Sequence, residues 1–175
     1  VRSLLLALLI LPASAAARAE ENEDAPVIQR YLVDVQLGDG IETVRRVYPP
    51  AQEWPATEQA HAGVTRYKLE RATTKAFPPR VETLFLGFKK GRLVEIEVVY
   101  NEKRSGSQPV EKLAGEYALS YGEPKRSGDR FWWSDGKTVL RVFPAEVPIV
   151  KDGDHAVSWR TAVQLFDRGI SGRAE

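Results

Sequence analysis

The chain has no cysteine among its 175 residues. That removes a disulfide framework, the usual staple of small secreted domains, and it removes the thiol to which an N-terminal lipid anchor is attached. Also missing are a G-x-S-x-G elbow, a P-loop, a G-x-G-x-x-G turn and an H-E-x-x-H helix, the spacings that carry common hydrolytic, nucleotide and zinc chemistry. Histidine is scarce, with His61 and His155 alone. Their segments read as loops, with nothing that pairs them as metal ligands. These absences argue against an enzyme, and no cofactor is expected. Stability must come from a hydrophobic core, and a chain of this length buries ~70% of the surface its unfolded form exposes.

Long apolar runs are lacking as well. The one candidate, Leu4 to Leu11, is far short of the ~20 residues that span a bilayer, so no transmembrane anchor is expected. Preceded by Arg2 and followed by small residues ending Ala17-Arg18-Ala19, it has the order of a cleavable signal peptide. Residues 1–19 are read as that signal, with cleavage after Ala19, and the product as periplasmic or secreted. Loss of Arg2 and Arg18 takes the formal charge from +1 to −1. The mature chain therefore keeps no basic excess with which to bind nucleic acid.

What remains is patterned. Residues 20–26 are an acidic leader. Val33 to Leu37 alternates as a strand, and Gly38-Asp39-Gly40 follows with Asp39 placed as a helix cap. Ile41, Val44, Val47 and Tyr48 form a helical stripe that Pro49-Pro50 stops. Val64 to Arg71 alternates with Arg66, Lys68 and Glu70 on a solvated face. Val81 to Lys89 and Arg92 to Tyr100 flank a Lys90-Gly91 turn and predict a hairpin.

Lys103 to Pro109, polar and Gly/Ser-rich, reads as a linker. A second helix follows, with its stripe on Val110, Leu113, Ala114, Tyr117, Ala118 and Tyr121, before Gly122 and Pro124 end it. Phe131 to Trp133 and Thr138 to Phe143 flank the Asp135-Gly136 turn. Val157 to Phe166 is the last strand, with Trp159, Thr161, Val163 and Leu165 facing inward, and residues 171–175 are a tail. The fold class is α+β, with short helices on antiparallel sheet. Residues 27–102 and 110–170 repeat one order, helix then meander, as a tandem duplication or as a single α+β domain.

The pattern resembles the unit of BamE, a family of small outer-membrane assembly lipoproteins. Doubled, it resembles the β-lactamase inhibitor protein fold. The matching pieces are Gly38-Asp39-Gly40-Ile41 with Val44 and Pro49, then Val110 with Leu113, Tyr121-Gly122-Glu123-Pro124 and the Phe131 to Phe143 hairpin. The chain departs from both families, having neither the lipidated cysteine of the one nor the disulfides of the other. The resemblance implies a topology and a role in protein binding rather than a chemistry.

Three clusters are candidate sites. Phe131-Trp132-Trp133 cannot place all its rings on one face of a strand. If Trp132 or Trp133 is open, flanked by Arg141 and Arg160 on adjoining strands, it forms a protein-binding anchor; if covered, it is core. Glu95 and Glu97, two apart on a strand, read as solvent face, or as the carboxylate pair of a protein that binds or hydrolyses cell-wall or lipid material. Asp152, Asp154 and His155 offer oxygen and nitrogen to a cation, although Asp and Gly are also what a loop uses. The basic pairs Arg45-Arg46, Lys89-Lys90 and Lys125-Arg126 read as solvated surface. The sequence thus points to an exported protein that binds an envelope or extracellular protein through a sheet face, with a purely structural role as the remaining alternative.

Overall fold

The structure, a computed structural model, describes residues 26–57, 63–151 and 153–170. The residues read as a signal and most of those read as an acidic leader, His61, Asp152 and the tail lie outside these residues. The architecture is α+β and mostly sheet. A small hairpin, β1 (Tyr31–Leu32) and β2 (Val35–Gln36), leads into helix α1 (Ile41–Val47) and the meander β3 (Thr65–Leu69), β4 (Val81–Lys89) and β5 (Arg92–Tyr100). Helices α2 (Glu102–Ser107) and α3 (Val110–Tyr121) follow, then β6 (Lys125–Ser127), β7 (Arg130–Ser134), β8 (Thr138–Lys151) and β9 (Asp154–Asp167). No helix among the described residues is long and apolar enough to cross a membrane.

One antiparallel sheet of seven strands holds both meanders, in the order β3-β4-β5-β9-β8-β7-β6. The two final strands meet at its centre, with Ile96 opposite Leu165 and Val98 opposite Val163. Because side chains alternate across a strand, these pairs extend into two apolar rows on one face. The first runs Leu69, Leu84, Val98, Val163, Val142 and Phe131; the second runs Tyr67, Leu86, Ile96, Leu165, Leu140 and Trp133. Val44 of α1 and Val110, Leu113 and Ala114 of α3 pack on these rows. Residues from both predicted units therefore share a single hydrophobic cluster.

Several local expectations are corrected. The predicted strand Val33 to Leu37 is a tight turn followed by two strand residues, since Val33 and Asp34 both have positive φ (45° and 67°). That geometry is the two-residue hairpin turn, and a β-branched residue there hides it from sequence. Asp39 does not cap α1. Its carboxylate accepts from the Gln36 backbone N–H at 2.9 Å, and Gly40 takes the cap position without a side-chain bond. Most of the predicted linker Lys103 to Pro109 is helix α2, started by Asn101, whose side chain accepts from Arg104 N–H at 3.0 Å. The Lys90-Gly91 turn and the Gly122 stop are as predicted, with φ of 50°, 73° and 75°.

One core implies one unfolding transition. Leu69→Ala in the first meander and Leu140→Ala in the second each empty a buried site, at about 2–5 kcal/mol. Both are expected to lower a single urea transition, seen alike by far-UV circular dichroism and tryptophan fluorescence. Two separable transitions would show that the halves fold apart.

Candidate functional site

The face opposite the helices is built by the residues between those apolar rows. One row across it reads Lys68, Phe85, Glu97, Gln164, Arg141, Trp132 and Lys125; its neighbour reads Arg66, Gly87, Glu95, Phe166, Val139 and Ser134. Among the described residues, no helix lends this face a buried side chain. It is sealed by its own side chains.

Its centre is an ion network. Arg66 Nη2 donates to Glu97 Oε2 at 2.7 Å, while Arg66 Nε lies 3.3 Å from Glu95 Oε1. Gln164 Nε2 donates to Glu95 Oε1 at 2.9 Å and to Glu97 Oε2 at 3.3 Å. The guanidinium of Arg66 sits 4.1 Å from the Phe85 ring centroid, a stacked cation. Glu95 is 2% exposed and Arg66 7%, so the expectation of a solvated face is overturned for both. Space for the carboxylate comes from Gly87 opposite: a Cβ there would meet Glu95 Cβ at 2.9 Å and its Oε2 at 3.0 Å. A glycine inside a strand is a sign of such close approach, and it is the signal in the sequence that marks this site.

Burial pushes the Glu97 carboxyl above the ordinary glutamate range, with Glu95 adding to the rise and Arg66 opposing it. Both carboxylates bear on the same guanidinium and the same amide, an arrangement suited to holding strands in register.

The aromatic pair divides as alternation requires. Trp133 is core, 5% exposed, with Nε1 donating to the Gly122 carbonyl at 2.8 Å and its ring tilted against Tyr117 at 5.9 Å. It ties the end of α3 to the sheet. Trp132 is half-buried on the outer face, directly across from Arg141. Arg141 lies 4.7 Å from the Phe166 ring centroid.

Arg160 does not join Trp132 and Arg141. It is four residues before Gln164 on β9, roughly 13 Å away by strand rise, and is 8% exposed. Its Nε donates to Glu82 at 3.1 Å, Nη2 lies 3.6 Å from Glu102, and Nη1 donates to the Ser158 hydroxyl. Asp154 and His155 are successive residues at the start of β9, so they point to opposite faces and do not converge on a cation. No metal-holding group of three His, Asp or Glu occurs among the described residues.

Comparison with protein-family models, curated proteins and solved structures finds no match. The outer face must therefore be judged on its own chemistry. It offers a half-buried tryptophan beside an arginine, on the same face as the Arg66 network.

Three outcomes are expected from this geometry. Trp133→Ala empties a core site at about 3–5 kcal/mol, whereas Trp132→Ala costs about 1 kcal/mol; urea unfolding separates the two. Arg66→Met strands Glu95 in the interior and costs about 3–5 kcal/mol. Glu97 binds its proton more tightly folded than unfolded. Its stabilising contribution is thus complete below the ordinary value of 4.5 and is lost as pH rises through the raised one. Glu97→Gln is expected to flatten that part of the stability–pH curve, and an unchanged slope would refute the assignment.

Proposed function

We propose that this chain is an exported, non-enzymatic protein that captures another envelope or extracellular protein on the outer face of its sheet. The observation that carries the reading is Trp132 beside Arg141 on a face to which no described helix lends a buried side chain. Tryptophan and arginine are the residue types that dominate binding hot spots, and they do so when fixed in place before the partner arrives. Arg141 stands between Trp132 and Gln164, a member of the Arg66 network, in one cross-strand row. The helix-then-meander order, which resembles BamE and the β-lactamase inhibitor protein fold, supports the same reading, as does the lack of a catalytic motif. The signal-like residues 1–19 supply the route to the compartment where such a partner resides.

The test is capture from an envelope extract with immobilised chain. Trp132→Ala and Arg141→Ala are expected to stay folded and to weaken retention of the partner, with the stronger of the two costing about 2 kcal/mol or more. Leu119→Ala, at a position 90% exposed on α3, is the control that should retain it. If both outer-face variants fold and keep every partner, this surface is not the docking site.

A further inference from the structure

Strands β8 and β9 outrun their neighbours. Pairing with β7 ends at Val142 and pairing with β5 ends at Ala162, yet β8 and β9 stay paired to each other as far as Lys151 and Asp154. A two-stranded arm results. Strand parity carries the helix-side face along it, but the core does not follow. Trp159, predicted to face inward, has the predicted parity and is nonetheless 59% exposed, with Val157 and Val150 further out on the same face and also exposed.

At the root of the arm, an open groove of about 470 Å³ runs between Trp159 and the α2–α3 junction. Its base is fixed by two bonds: Thr161 N–H donates to Ser105 Oγ and Thr161 Oγ1 to the Gln108 carbonyl, both at 3.0 Å. Trp159, Pro109, Val110 and Pro144 give it apolar walls, and its charge is one-sided. Glu102, Glu111 and Asp129 line it against one cation, Arg160, which is already paired with Glu82 and Glu102.

We propose that this groove receives an extended segment of a protein partner bearing lysine or arginine. Such a side chain satisfies both halves of the site. Its aliphatic stem lies along Trp159 and the prolines, and its charged end reaches the carboxylates. The indole face itself attracts a cation. An acidic segment would meet three carboxylates, and a wholly apolar one would desolvate them without compensation. The site lies at the β9 edge beside the α2–α3 junction and includes neither Trp132 nor Arg141, so it stands independently of the outer-face reading.

Titration of the whole chain with a synthetic peptide of alternating lysine and leucine, followed by calorimetry, tests this. Its glutamate-leucine counterpart is the control. Binding of the basic peptide is expected, weakening as salt is raised. Trp159→Ala, and separately the combined Glu102→Gln, Glu111→Gln, Asp129→Asn variant, should each lose about tenfold or more in affinity. Trp132→Ala should bind the peptide as wild type does. The proposal is overturned if wild type ignores the basic peptide, if the acidic peptide binds equally, or if the triple variant binds unchanged. Sedimentation showing that a second copy of the chain already fills the groove would overturn it too. Circular dichroism of each variant separates loss of binding from loss of fold.

Discussion

Everything in this molecule hangs on the pairing of β5 with β9. Those strands close the two meanders, and the five residue pairs between them, Glu95–Phe166 to Val99–Ala162, carry the sheet from one half to the other. On the helix side the junction sets Ile96 against Leu165 and Val98 against Val163, all fully buried. On the outer side the same register sets Glu97 against Gln164. A slip of one residue would exchange the faces. A slip in β5 would press its carboxylates into the core and turn Ile96 and Val98 outward. The hydrophobic rows and the ion network are therefore alternate readings of one register, and each penalises the error that the other would also forbid.

The network is a poor source of net stability. Desolvating Arg66, Glu95 and Glu97 costs free energy that their attraction only partly returns, and among the described residues Glu95 Oε2 lacks a hydrogen-bond partner. Its value lies in specificity. Arg66 belongs to β3, the glutamates to β5 and Gln164 to β9, so the cluster reaches across three strands and over β4, where Gly87 leaves it room. Hydrophobic rows tolerate sliding by two residues, because leucine and valine substitute for one another along them. A guanidinium bonded to two defined carboxylates does not.

Period and turn chemistry made much of this legible in advance. The stripes of α1 and α3, the hairpin at Lys90-Gly91 and the turn at Asp135-Gly136 depend on residues near one another in the chain, and the sequence carries them in plain form. The division of Trp132 from Trp133 was likewise set by alternation, although which ring is core depends on where α3 lands. The burial of Arg66 and Glu95 was not legible, because alternation assigns a face and says nothing of what lies across it. A seven-stranded sheet shelters side chains at its centre that would be wet on three strands. Helix α2 was hidden for a related reason: Gly and Ser argue for a loop, and the Asn101 cap and the Thr161 contacts outweigh that preference.

The arm shows the same limit from the other side. Val157 and Trp159 continue the alternation of Thr161, Val163 and Leu165 without a break, so pattern alone extends the core to them. Burial requires an opposing surface, however, and the helices end before the arm does. A two-stranded ribbon alone is marginal in water, and this one is held because both strands are continuous with the middle of the sheet. Rooted at that end, and with no further strand paired to it beyond Val142 and Ala162 among the described residues, it holds its apolar face in place without covering it. An apolar face kept ordered and uncovered, with carboxylates at its base, is what a binding surface needs before its ligand arrives. The strands that unite the two meanders are thus also the ones that carry exposed chemistry away from them.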